Sequence, residues 1–341
     1  MARGPTPSQK RQIEALLAVH EPLIRDAFLL AVENAHQSVD FAALVNAIRF
    51  GDIPQAVEIL RIDQISLFPM QEAVRAAFIS AGLAVHDPIA LAGGFGFNGR
   101  HVVAERIIAE TGARLVSQVG SPGVEPIRAI IFAGQEQGIG AQKIARQLAG
   151  TINKATGKRE GGILGLDAPR ANRAIRVREI LADPARIGDY FLPNGDPRFK
   201  STDRRMDAMV RKAISEGRAL SAADVERIAR AHEARLLKAR AQTIALNESF
   251  TATSAGRYEA FRQMLESGAV EKIDKTWSHN TLKNPRHDHI ALDGVTLLLN
   301  EPFVMDDGAR MQHPHDPAGG AHHSIGCRCV VVYKPQFKRP E

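Results

Sequence analysis

Apolar residues recur every three or four positions through most of the first 268 residues, the spacing of helices that bury one face. Gln9–His20 puts Ile13, Leu16 and Leu17 on one stripe. Pro22 can open a second helix carrying Leu23, Ile24, Ala27 and Phe28. Asp40 is placed to cap Phe41–Phe50, which Gly51 would end. Pro69 begins a helix with Met70, Ala73, Val74 and Ala77 inward, and Arg100–Thr111 and Glu125–Gln137 follow. Residues 151–170, rich in Gly, Lys and Arg, read as a loop. Pro193, Asn194, Gly195 and Pro197, with Pro184 before them, make 183–202 a linker or extended arm. Helical spacing returns at Met206, and Ser221 with Asp224 forms a capping box that opens a long helix. A separate helix carries Tyr258, Phe261 and Leu265 and stops at Gly268.

Beyond residue 270 the helical period ends. Val295–Leu299 and Val330–Tyr333 are short strand-like runs separated by a loop rich in Gly, Pro, His and Asp. The pattern predicts a mainly α protein with a small α+β lobe near the C-terminus. Its regions are a helical N-terminal part (1–120), a helical middle (121–182), the arm (183–202), a C-terminal domain (203–335) and a basic tail (336–341).

Composition narrows this picture. Of 341 residues only 5% are aromatic while 44% are hydrophobic, so Ala, Ile, Leu and Val must fill the core, which favours helix on helix. A net charge of +6 is compatible with a nucleic-acid neighbour but modest for this length. No apolar run approaches a membrane span, and the polar, Pro-containing start lacks a signal-peptide core. The two cysteines, Cys327 and Cys329, give no disulfide framework, so an oxidising compartment is not implied and synthesis in the cytoplasm is expected.

The last third carries an ordered set of short motifs: Ile244–Glu248 on a helix, Trp277, Arg286-His287-Asp288-His289 running to Asp293-Gly294, then Glu301-Pro302-Phe303, Pro314-His315-Asp316-Pro317, and Gly326-Cys327-Arg328-Cys329. This series resembles the head-morphogenesis domain of phage minor head proteins, the family of the phage Mu F protein. The motif residues it marks are Glu248, Trp277, Arg286, His289, Asp293, Gly294, Cys327 and Cys329. Leu246-Asn247 stands where the family usually has Arg-Thr, and Gly326 where it has Asn. The resemblance implies a structural protein of the virion rather than an enzyme. It would be held inside the head of a tailed phage and act in procapsid assembly and DNA packaging or ejection. The partners it implies are the portal protein, the major capsid protein and double-stranded DNA read without sequence preference, with no membrane.

The residues allow further chemistry. Cys327 and Cys329 are one residue apart in extended chain, so both thiols face one side. With His289 they form three parts of a structural zinc site; His287, His313, His315, His322 and His323 are available as a fourth ligand. The alternative leaves the thiols as small core residues. Asp293-Gly294 reads as a turn, and Arg286 would pair with Asp288, Asp293 or Glu248. Trp277 reads as a core anchor rather than a base-stacking platform. Lys154, Lys158, Arg159, Arg173 and Arg176, with Arg170 and Arg178 beside them and a second basic group at Lys334, Lys338 and Arg339, are candidates for phosphate contact. Gly94–Gly99 matches G-x-G-x-x-G, but Pro88 interrupts the strand it would need and no βαβ alternation follows, so it reads as a loop. Asp288-His289-Ile290 also resembles part of a His-Asn-His nuclease, with His289 as base and Asn300 downstream.

Overall fold

In the computed structural model, residues 7–93, 95–120, 123–199, 203–280 and 286–337 are described. Gly94 of the glycine motif and the tail cations Lys338 and Arg339 lie outside them. The elements in chain order are α1 (Pro7–Ser38), α2 (Phe41–Phe50), α3 (Ile53–Ile59), α4 (Gln64–Gly93), α5 (Val102–Val119), α6 (Val124–Glu136), α7 (Ala141–Ala149), β1 (Thr151–Ile152), β2 (Arg159–Glu160), α8 (Ala168–Ala182), α9 (Arg204–Ser215) and α10 (Ala222–Glu266). The lobe that follows has β3 (Val270–Ser278), α11 (His287–Ala291), β4 (Thr296–Leu298), β5 (Phe303–Val304), β6 (Arg310–Met311), α12 (Gly320–Ser324) and β7 (Val330–Phe337). The protein is mainly α with small antiparallel sheets near the C-terminus, as the apolar spacing predicts. None of the described helices is long and apolar enough to cross a membrane.

Several helix ends sit where side-chain chemistry places them. Asp40 accepts from the Ala43 N–H, and Gly51 closes α2 in the left-handed region. Ser221 accepts from the Asp224 N–H at 3.1 Å while its hydroxyl donates to the Asp224 carboxylate at 2.7 Å. Other expected breaks are bridged. Helix α1 runs through Pro22, and α4 starts at Gln64, capped by Asp63, and runs through Pro69. Proline removes one donor and strains the preceding turn. Burial of Ile24 and Phe28 after Pro22, and of Met70 and Val74 after Pro69, favours continuing the helix. The helices expected before and after residue 250 are one, the 45-residue α10. Residues 151–170 are not all loop: β1 and β2 pair, and α8 starts at Ala168 behind an Asp167 cap.

The chain divides into two units, each discontinuous in sequence, which do not coincide with consecutive regions cut at 120, 182 and 202. One holds residues 28–68 and 115–241. Its core joins Val177, Ile180 and Leu181 of α8 to Tyr190, Phe199, Val210 and Ile228. Through Phe199 the expected arm is therefore folded: a 3-10 turn at Ile187–Tyr190 buries Tyr190, whose hydroxyl donates to Asp207 at 2.8 Å. Burial of two aromatic rings outweighs the turn-forming composition of that stretch. Beside it, Arg178 bridges Glu226 and the buried Glu233, and Glu233 also accepts the Gly162 N–H at 2.8 Å.

The other unit holds residues 1–27, 69–114 and 242–341. Its sheet has the order β4-β3-β7, all antiparallel, with Trp277 opposite Val331 and Lys275 opposite both Leu297 and Tyr333. The sheet packs on the C-terminal half of α10 through Phe261 stacked on Tyr333, and on the start of α1 through Ile13 with Phe250 and Val330. Gln9 fits its side-chain amide to the backbone of Tyr333, donating to the carbonyl and accepting the N–H. At Gly256 of α10 a Cβ would stand 2.2 Å from the Phe78 carbonyl oxygen, so only glycine allows that approach. Phe95 and Phe97 of the glycine-rich stretch are buried in this unit, and Asn98 exchanges hydrogen bonds with Gln263, so the described part is an anchored loop.

Candidate functional site

Strand β3 supplies the floor of the lobe. Trp277 is fully buried, with its ring edge-on to His289 at 5.3 Å and to Phe303 at 5.1 Å between centroids. This is the core anchor expected for it. The chain leaves β3, and the Asp293 carboxylate accepts the His279 N–H at 2.8 Å while the Gly294 N–H donates to the Trp277 carbonyl at 2.9 Å. Gly294 has φ +79°, and the Val295 N–H closes the turn on Leu292. Asp293-Gly294 is thus the turn that feeds β4 and holds the short helix α11 against β3. Asp288 in its first turn accepts the His289 N–H at 2.8 Å, and His289 is buried.

The second half of the site comes from the segment before β7. Gly326 takes φ +73°, a conformation that suits glycine or asparagine, and the Cys327 N–H then donates to the Ser324 carbonyl. Arg286 does not pair with Asp288, Asp293 or Glu248; its guanidinium donates to the Ile325 carbonyl at 2.7 Å and ties α11 to this turn. His315, buried and with φ +64°, places its Nε2 3.0 Å from the Cys327 carbonyl and stacks on Phe250.

These two halves bring His289, Cys327 and Cys329 together. Nδ1 of His289 lies 3.5 Å from Sγ of Cys327 and 3.7 Å from Sγ of Cys329, and all three side chains are buried. The Cys329 N–H points at the Cys327 sulfur at 3.3 Å. The Cys327 thiol, then His289 and the Asn280 N–H, pull the Cys329 thiol below its ordinary range, while that same bond and burial push Cys327 up. Among the described residues no fourth His, Cys, Asp or Glu joins this trio. His323 instead sits on the far nitrogen, its Nδ1 3.3 Å from His289 Nε2 and 3.2 Å from Asp288, and its Nε2 3.2 Å from Asp307. His322 reaches the same Asp307 oxygen at 2.8 Å, and hydrogen bonds hold that carboxylate down to about 2. His313 and His315 are buried on backbone carbonyls, and His287 is exposed. With sulfur on one ring nitrogen and His323 on the other, His289 has no free nitrogen to activate a water.

Glu248 is a buried partner in the same unit: Arg114 grips it with two bonds, 3.1 and 2.6 Å. Lys275 escaped the sequence reading altogether. It is fully buried, its ammonium donating to the carbonyl and side-chain oxygens of Gln312 at 2.9 and 2.7 Å and standing over Tyr258 and Phe303. Burial pushes it down to about 8. Of the expected phosphate-contact residues, Lys334 is exposed on β7 in this unit, and the other described ones lie in the other unit. Lys154, Arg173 and Arg176 are exposed, the last two one helical turn apart on α8. Lys158 is paired with Glu33, and Arg159 donates to the Gly150 carbonyl and lies over Phe41.

A 95-residue stretch is 36% identical to "Uncharacterized protein YqbB" of Bacillus subtilis (strain 168), covering 27% of this chain and 30% of that protein. The chain thus matches less than a third of that relative's length. No solved structure matches. The match to a family model falls on the segment built above, α9 through the start of β7, and takes in the Cys/His centre, its carboxylates and the turn at Asp293-Gly294. Residues 205–332 match the family described as Phage Mu protein F like protein.

Proposed function

We propose that this chain is a minor structural component of a tailed-phage head and that it works by binding rather than by catalysis. The observation that carries this reading is the match of residues 205–332 to the Phage Mu protein F like family. The local chemistry supports it. The motif residues are engaged within the fold: Trp277 in packing, Asp293 and Gly294 in a turn, Arg286 on the Ile325 carbonyl, Glu248 with Arg114. Such a lobe holds a shape that other proteins can dock on. The partners are the portal protein or the major capsid protein, and the steps served are procapsid assembly and DNA packaging or ejection inside the virion.

Double-stranded DNA is a neighbour met through phosphates alone, with Lys154, Arg173 and Arg176 as the contacts and Lys158 and Arg159 only where DNA displaces their present partners. The test is genetic. Deleting the gene from the phage or prophage that encodes it yields aberrant or DNA-deficient heads, restored by supplying the chain in trans. Normal titre and normal full heads without it overturn the proposal.

A further inference from the structure

The buried trio of His289, Cys327 and Cys329 has a chemistry that the head assignment does not use. We propose that it is a zinc site, with the two cysteine sulfurs and Nδ1 of His289 as protein ligands and the fourth position left to a non-protein ligand. Three observations converge on it, and it stands independently of the proposed role in the head. First, the three ligand atoms lie within 4.8 Å of one another in a buried place, and they come from segments 38 residues apart. Two soft sulfurs and one imidazole make a donor set that favours zinc over magnesium or calcium.

Second, the geometry around each donor is that of a supported ligand. His289 presents Nδ1 to the sulfurs because Nε2 is engaged by His323, which runs on to Asp307. A chain of this kind orients a ligating imidazole and keeps the coordinating nitrogen unprotonated. The Cys329 N–H, 3.3 Å from the Cys327 sulfur, stabilises a thiolate there. His315 and Arg286 hold the carbonyls of Cys327 and Ile325, fixing the turn that aims both sulfurs inward. Third, charge favours the assembly. Zinc binding sends both thiol protons to solvent, and two thiolates with one divalent cation sum to zero, a state that burial tolerates far better than a lone thiolate. The metal would staple α11 to the start of β7, two segments that otherwise meet through the Arg286–Ile325 hydrogen bond and the His289 contacts.

The experiment uses the full chain, expressed with zinc in the medium and purified without chelator. Elemental analysis is expected to give one zinc per chain. Replacing zinc by cobalt(II) is expected to give the intense thiolate-to-cobalt charge-transfer band of a site with sulfur ligands. Cys327→Ser and Cys329→Ser each weaken that band. His323→Ala keeps the band, since His323 is not a ligand, and lowers metal affinity about 10- to 100-fold. Wild-type protein decides the matter even where a cysteine variant does not fold. Substoichiometric metal together with no charge-transfer band from cobalt overturns the proposal, as does a His323→Ala protein that binds zinc as tightly as wild type.

Discussion

Replacing Arg114 with alanine strips the buried Glu248 of its counter-charge and of two hydrogen bonds. The Glu248 side chain is 6% exposed and that of Arg114 21%, so the two ends of the pair differ in their access to water. Without the guanidinium, the carboxylate keeps Asn247 at 3.3 Å. Stranding one member of a buried pair costs about 3–5 kcal/mol. The reverse change, Glu248→Ala, leaves a cation on a side chain more exposed than that of Glu248, so its cost is close to that of a lost charged hydrogen bond, about 2 kcal/mol. The double variant Arg114→Met with Glu248→Leu removes the desolvation cost with the pair and is expected to lose less than Arg114→Ala. The assay is urea unfolding followed by Trp277 fluorescence. This is the only tryptophan in the chain, and it lies in the same unit as the pair, so its emission reports that unit's unfolding. An Arg114→Ala variant that loses under about 1 kcal/mol, or less than Glu248→Ala does, refutes the reasoning that burial of the carboxylate sets the cost.

Other consequences follow from the same structure. Trp277→Ala removes a fully buried indole and is expected to cost about 3–5 kcal/mol in urea unfolding read by circular dichroism, with Trp277→Phe costing less. Burial lowers His36 to about 4, so the folded ring stays neutral while the unfolded one protonates near 6.5. The unfolded state then takes up the proton first, and stability falls as pH drops from 6.5 towards 4, by up to about 3 kcal/mol from this residue; His36→Gln flattens that loss in unfolding titrations at pH 7 and pH 4.5. Lys275 shows the same sign at the other end of the scale. Its folded value near 8 lies below the ordinary 10.5, so stability rises with pH between them, and Lys275→Met is expected to abolish that rise in thermal melts. Neutralising Lys154, Arg173 and Arg176 together is expected to lower the slope of log affinity for duplex DNA against log salt by about 2 to 3, and an unchanged slope refutes contact there.

Local chemistry made part of this legible in the sequence. Caps at Asp40 and Ser221 declare their helices, Asp293-Gly294 declares its turn, and the C-x-C pair with His289 declares a shared centre. What stayed hidden depends on partners far along the chain. Glu248 meets Arg114 from 134 residues away, and no spacing rule reports such a pair. Strand β3 was obscured by its bulge between Val270 and Lys272, which shifts the buried positions from Val270 to the alternating Ile273, Lys275 and Trp277 and breaks the period of two. A lysine at a buried position hid the pattern further. The role of His323 depends on the fold placing it against His289, and sequence alone gave it no rank among five histidines. Proline at 22 and 69 misleads because tertiary burial, not local propensity, decides whether a helix continues.

The proposed place of this chain in a phage head is open to direct measurement. Quantitative mass spectrometry of purified procapsids and of mature particles from the phage that encodes it addresses this directly. Peptides from 205–332 are expected at a fixed low ratio to the major capsid protein in the heads; heads complete in every other component but lacking those peptides at both stages contradict the proposed role.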